Sequence, residues 1–147
     1  MTIEDNKALV IRFVEEFWSS GNESAADTLM ADGVSIVVNN DPVKDTDALK
    51  GFARMLRRAF PDWHSELEEL VAEGNRVAER WTGHGTQRGD FQGIPATGRQ
   101  VAVPGTVFYR LAAGKIVEFR GQFDRLCMLE QLGALSQPGH AEVPVRQ

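Results

Sequence analysis

A chain of 147 residues has the length of one domain, enough to bury a single core or a single pocket. Its hydrophobic and charged fractions, 42% and 25%, are those of an ordinary globular protein and exclude a disordered, coiled-coil or fibrous chain. The formal charge of −5 argues against a binder of phosphate backbones, and the one basic cluster, Arg54, Arg57 and Arg58, reads as the solvated side of a helix.

Cys127 has no partner for an internal disulfide. Met1-Thr2-Ile3-Glu4-Asp5 lacks the basic start and apolar core of a signal peptide. No apolar run approaches the ~20 residues of a membrane span. These features lead to the expectation of a cytoplasmic protein that binds neither nucleic acid nor membrane.

The first predicted element is a helix in which Leu9, Val10, Phe13, Val14, Phe17 and Trp18 recur at three- and four-residue intervals. Thr2 with Asp5 reads as its capping box, and Gly21-Asn22 as its end. A short helix over about Ser24 to Met30 follows, stopped near Gly33. Val34 to Val38 is β-branched and reads as a strand, and Asn39 to Pro42 as a turn. A third helix starts near Thr46, carries Leu49, Phe52, Ala53, Leu56 and Phe60 on one side, and is stopped by Pro61.

Beyond Trp63 the periodicity changes to two. Trp63 to Glu73 and Val77 to Gln87 form a hairpin around Gly74-Asn75, and a loop spans Arg88 to Arg99. Val101 to Leu111 and Ile116 to Phe123 form a second hairpin around Ala113-Gly114. Asp124 to Leu132 reads as a last helical segment, and residues from Ser136 to Gln147 as a loosely ordered tail after a single domain over 1–135. Helices followed by long antiparallel strands indicate an α+β fold. Gly83, Gly85, Gly105 and Gly121 inside strands suit a strongly curved sheet, since glycine tolerates bulges and close backbone approach.

Several segments together resemble the SnoaL-like polyketide cyclase family, within the nuclear-transport-factor-2-like superfamily. They are Ala59-Phe-Pro-Asp-Trp-His64, Arg80-Trp-Thr-Gly-His-Gly-Thr86, Gly89-Asp-Phe-Gln-Gly-Ile-Pro-Ala-Thr-Gly98, Phe108-Tyr-Arg110, Gly114-Lys-Ile-Val-Glu118 and Phe123-Asp124 followed by Leu129-Glu-Gln-Leu-Gly133. The resemblance covers roughly residues 59 to 133, and the aromatic-ended first helix is similar as well. It implies a cone-shaped barrel of highly curved antiparallel sheet wrapped around N-terminal helices, and a homodimer. It also implies ring closure by intramolecular aldol chemistry with no metal and no cofactor. Relatives include hydrolases, isomerases and pockets without known chemistry, because fold alone does not determine function.

Asp124 matches the family's acid/base aspartate. A carboxylate in an apolar cavity has a raised pKa and can take a proton from the carbon beside a carbonyl. By position alone Asp124 could equally cap the last helix. Gln122, Arg120 and Glu118 share one side of their strand, opposite Val117, Phe119 and Phe123. If the polar side lines the cavity, Gln122 could hold an enolate oxygen; if not, Gln122 and Arg120 are solvated.

His84 shares a strand face with Arg80 and Thr82 and could move a proton near neutrality, or be a plain exposed histidine. Arg80 could neutralise an enolate, or pair with Glu66 or Glu68 on the neighbouring strand. Trp63, beside His64, could wall an aromatic ligand, as could Phe17, Trp18, Phe52 and Phe60, although all could be plain core. Three scattered histidines with no HExxH or CxxC make a metal site unexpected, and no phosphate-cradling glycine loop invites a nucleotide. Cys127 reads as a small buried hydrophobe.

The leading expectation is therefore a cofactor-independent acid/base enzyme, a cyclase or isomerase, acting on a small apolar or aromatic carbonyl compound. Asp124 would be its base, and His84, Gln122 or Arg80 would attend the oxygen. An epoxide hydrolase of the limonene type is the first alternative. It needs a second carboxylate, from Glu79, Glu118 or Asp90, and Thr82 stands where an Arg-x-Asp pattern would place its aspartate. A non-catalytic ligand-binding or dimerisation module is the other.

Overall fold

In the computed structural model, which describes residues 1–135, the capping box is in place. The Thr2 hydroxyl accepts from the Asp5 N–H and the Asp5 carboxylate accepts from the Thr2 N–H, both at 3.0 Å. Helix α1 then runs over Ile3–Phe13 and widens into a π-helical turn, Val14–Ser19, that carries Phe17 and Trp18. Such turns reposition side chains relative to a regular helix. Helix α2 covers Ser24–Leu29 and α3 covers Thr46–Ala59, where the Asp45 carboxylate accepts from the Ala48 N–H at 2.9 Å. The tail expected from Ser136 onward lies outside the described residues.

The strands are β1 (Met30–Val38), β2 (Asp41–Val43), β3 (His64–Glu73), β4 (Arg76–Thr86), β5 (Gln100–Ala112) and β6 (Lys115–Phe123), and α4 follows over Arg125–Gln131. They form one six-stranded sheet in the order β2-β1-β6-β5-β4-β3. The α+β class expected from the sequence holds. The sheet is nevertheless open, with β2 and β3 at its edges. One pair, β1 and β6, is parallel, with Val38 opposite Gly121. Only Asn39 and Asn40 make the turn expected over Asn39 to Pro42, and Asp41–Val43 pairs back onto β1. The β5–β6 hairpin closes through Ala113 and Gly114 at φ 52° and 75°, the positive values that a tight antiparallel turn requires.

Strict alternation on β5 sends Val101, Val103, Gly105, Val107, Tyr109 and Leu111 inward. The buried side chains form two clusters. One gathers Phe13, Phe17, Tyr109 and Phe119, and the other Phe60, Trp63, Phe91 and Met128. Trp18 and Trp81 pack against both. The helices pack against strands across the sheet, and Trp18 and Trp81 stand where the two clusters meet.

The glycines inside the strands act through close approach. A Cβ on Gly105 would stand 2.2 Å from Trp81 Cζ2, and one on Gly83 would stand 2.2 Å from Trp63 Cζ2. Both indoles thus lie on bare backbone. No helix of the described residues is long and apolar enough to cross a membrane.

Forcing a methyl under a fixed ring displaces the ring or the strand, which costs about 1–3 kcal/mol in well-packed interiors. Gly105→Ala is therefore expected to lower the urea-unfolding free energy by about that amount. Unchanged stability would mean that Trp81 is not seated on this glycine.

Candidate functional site

The cavity opens where the two clusters meet. It encloses about 650 Å³ including its mouth. Trp18, from the π-helical turn, and Phe52, from α3, form one wall. Trp63 and Trp81 form the floor over the glycines, and Phe119 with Phe123 of β6 closes the far side. Phe52 bridges Trp18 and Phe123, with ring centroids 6.3 and 6.5 Å away.

One carboxyl group stands in this lining. Burial on β4 falls on Val77, Glu79, Gly83 and Gly85, with Trp81 half-buried, so Glu79 points inward. It is 4% exposed, and its Oε1 accepts a 2.6 Å hydrogen bond from the hydroxyl of Tyr109, itself 1% exposed. Tyr109 lies opposite Val77 on β5, one inward position along from Glu79. No described residue bonds Oε2.

Desolvation pushes the Glu79 carboxyl up to about 7, against the smaller opposing effect of the Tyr109 hydrogen bond. Burial, and secondarily the Glu79 charge, drive the Tyr109 hydroxyl well above its usual value. Tyr109 therefore stays a donor through the neutral range, while Glu79 exchanges its proton there. The carboxyl can both take and return a proton at neutral pH.

The sequence-predicted residues divide according to strand parity. Trp63, Trp18 and Phe52 are brought together around the cavity. Phe17 is 1% exposed in the core, stacked on Phe13 at 5.0 Å, and Phe60 packs behind Trp63. The inward face of β6 is the apolar one, with Phe119, Gly121 and Phe123. Gln122 reaches the cavity rim with an exposed side chain whose amide donates to Asn40 Oδ1 at 3.3 Å.

Arg80 and His84 stand on the outer face of β4. Arg80 donates to Glu68 at 2.7 Å and Glu69 at 3.2 Å. His84 is 3.0 Å from Glu66 and stacks on His64. A strand sends successive side chains to opposite faces, so neither can reach a cavity that Glu79 and Trp81 line.

Asp124 is exposed and caps α4, its Oδ1 accepting from the Cys127 N–H at 2.9 Å, one residue beyond the cavity-lining Phe123. Cys127 is half-buried rather than buried. Of the carboxylates considered as a second acid, Glu79 alone lines the cavity. Glu118 pairs with Arg110 at 3.1 Å, and Asp90 is exposed.

Arg57 departs from the solvated helix side expected of it. Its Nη2 donates to the carbonyls of Trp18 at 2.8 Å, Ser19 at 2.9 Å and Trp63 at 3.3 Å. One guanidinium thus ties the π-helical turn to the start of β3, and with it two cavity tryptophans. Glu79, which the sequence offers only as a possible second carboxylate, is the charged residue on the apolar parity of β4.

The description SnoaL-like polyketide cyclase matches residues 8–132 of the chain. Among solved structures, a provisionally described SnoaL-like polyketide cyclase from Jannaschia sp. CCS1 is 26% identical, with TM-score 0.83 over 92% of this chain and 97% of its own. AclR from Streptomyces galilaeus, provisionally described as a hydroxylase, is 27% identical, with TM-score 0.83 over 92% and 100%. IdmH from Streptomyces antibioticus, provisionally described as a polyketide cyclase, is 27% identical, with TM-score 0.79 over 87% and 98%. No curated protein of assigned function matches the sequence.

The raised pKa of Glu79 makes a signed prediction about stability. The folded state holds this proton up to about pH 7 and the unfolded chain releases it near 4.5. Unfolding free energy from this group therefore falls as pH rises through that window, by on the order of 3 kcal/mol, and is flat above it. Glu79→Gln keeps the shape and can still accept from Tyr109. Urea titrations at pH 5 and pH 8 should show that the variant lacks this loss and exceeds the wild type at pH 8. Parallel pH dependence in the two proteins would contradict a buried Glu79 carboxyl.

Proposed function

The chain belongs to the SnoaL-like polyketide cyclase family, and on that premise we propose that it is a cofactor-independent acid/base enzyme acting on an apolar carbonyl compound. The observation that carries this reading is a single buried carboxyl group, Glu79, hydrogen-bonded to Tyr109 inside a cavity lined mainly by apolar side chains. Glu79 takes a proton from the carbon next to the carbonyl. The C–H electron pair becomes the C=C bond of an enolate, and the carbonyl π pair moves to oxygen. In isomerisation, Glu79 returns the proton at another carbon. In ring closure, the enolate carbon attacks a second carbonyl, and Glu79 protonates the resulting alkoxide.

Tyr109 holds the carboxyl in place and favours its ionised form. Aromatic walls bind the ligand body and exclude water, which strengthens every polar interaction made inside. The setting proposed is cytoplasmic. The dimer would form through the outer face of the sheet, where Phe108 is 58% exposed.

Asp124 remains the second candidate for the base, favoured by its match to the family's aspartate and its place next to Phe123. It would have to act from the cavity mouth while one of its oxygens caps α4. The limonene-type epoxide hydrolase has less support, because no second carboxylate lines the cavity beside Glu79 among the described residues.

The proton-transfer step can be followed without knowing the natural substrate. Bicyclic aryl ketones such as tetralones carry an exchangeable hydrogen beside the carbonyl, and its exchange in heavy water is read by NMR. Wild-type protein should accelerate exchange, with a rate rising through about pH 7 as Glu79 ionises. Glu79→Gln should lower that rate by roughly 100-fold or more, the usual weight of a general base. Asp124→Asn, which preserves the cap, should leave it within about 3-fold. The reverse pattern would assign the base to Asp124. Wild-type exchange no faster than that of the doubly substituted protein would leave a binding module.

A further inference from the structure

The chain has three tryptophans, and all three line the cavity. Two are fixed from below. The Trp63 ring is pressed on Gly83 and the Trp81 ring on Gly105, so closely that a Cβ has no room at either glycine. A ring seated in this way turns only if the strand beneath it moves.

Trp18 is held differently. It projects half-buried from the π-helical turn, and its ring meets Phe17 and Phe52 edge-on, with centroids 4.8 and 6.3 Å away. Such turns are frequent at functional sites. The ring also borders a second space. A cleft of about 550 Å³, including its open side, is lined from the turn and from α3. Trp18, Leu56 and Trp63 line both the cleft and the cavity, so these three side chains partition them. Trp63 is fixed on Gly83, and Leu56 is 6% exposed within the second cluster. Trp18 is the member of the partition with space to enter. Closing the cleft would take the Glu23–Arg54 pair and the exposed Arg58 out of water at a cost, so it stays open.

The backbone that carries the ring is held from α3. Arg57 Nη2 donates to the Trp18 and Ser19 carbonyls at 2.8 and 2.9 Å, and the Ser19 hydroxyl accepts from the Ser65 N–H at 2.9 Å. Gly21 follows at φ 72°, and a Cβ there would stand 2.7 Å from Arg57 Nε, so glycine lets the chain bend around the guanidinium. Helix α3 is itself anchored towards both ends, by Leu49 and Ala59, each fully buried. It is the frame, and the turn is the part that can give.

We propose that the Trp18 ring is a gate between the open cleft and the cavity, and that Arg57 sets how readily it opens by holding the turn. The cavity then has a second entrance besides the rim at Gln122. Ligands enter and leave by swinging this ring into the cleft while Trp63 and Trp81 stay in place. A gate raises the barrier to entry and exit alike, so it sets rates and leaves affinity unchanged. The inference holds whether or not a reaction follows binding, and is independent of the acid/base reading.

The first test needs no ligand. With fluorotryptophan at all three positions, fluorine NMR gives one signal for each ring, assigned by single Trp→Phe variants. Relaxation dispersion of the fully labelled wild type should show microsecond-to-millisecond exchange at Trp18 and not at Trp63 or Trp81. A Trp18 signal as free of exchange as the other two would overturn the gate.

The second test follows tetralone binding by stopped-flow quenching of tryptophan fluorescence. Ala53 lines the cleft and not the cavity, so Ala53→Leu fills the space that the ring would enter. It should slow association and dissociation together by about 10-fold and keep Kd within about 2-fold. Arg57→Gln should speed both. Wild-type rates in Ala53→Leu, or a change in one rate that shifts Kd, would contradict the proposal. Wild-type protein that binds no tetralone would remove the cavity as a ligand site and the gate with it. Gated binding with a failed exchange assay would sink the acid/base reading and leave this one standing.

Discussion

A carboxyl group kept out of water without a cationic partner is the interaction around which this cavity is organised. Burying an ionised carboxylate is expensive, and proteins usually avoid it by exposing the group, pairing it or letting it hold its proton. Glu79 follows the last course over much of the pH range, with one hydroxyl for company. The surroundings follow from that. Tyr109 must be buried beside it, β4 and β5 must keep their register, and the walls must stay apolar to maintain the shift. A nearby lysine or arginine would return Glu79 to an ordinary surface-like acid.

The fold supplies this environment by leaving its core incomplete. Two apolar clusters pack against the inner face of one open sheet, and the space between them is bounded by Trp63 of one cluster and by Trp18 and Trp81, which pack against both. Flat rings on a glycine floor cover area without filling depth, which larger inward side chains would have done. Arg57 anchors the arrangement from behind through the backbone carbonyls of Trp18 and Trp63. A carboxyl group on a strand and walls on helices give the cavity a lining fixed by regular secondary structure.

Periodicity and turn chemistry made most of the architecture legible. The capping box at Thr2, the Pro61 stop, both hairpins and the class of fold could all be read from local pattern. The parallel pairing of β1 with β6 could not, because pairing between distant segments leaves no local signature in either strand. The π-helical turn also escaped, since its residues continue the helical spacing of α1. For β6, Phe119 and Phe123 on one face and Glu118 and Gln122 on the other left the direction open until packing decided it. Burial chose the aromatic face.

The site was less legible than the fold. Family resemblance drew the eye to Asp124, and chemistry-bearing side chains drew it to His84 and Arg80. Those two belong to the outer parity of a strand whose inner parity reads Val77, Glu79, Trp81, Gly83, Gly85. A lone acid in that company was the signal, and it weighs more than a histidine among solvated neighbours. The most direct test of the account is the ionisation of Glu79 itself, followed through its side-chain carboxyl carbon by NMR titration and assigned with Glu79→Gln. The account predicts a midpoint near 7. A midpoint in the ordinary glutamate range, about 4.3, would contradict it.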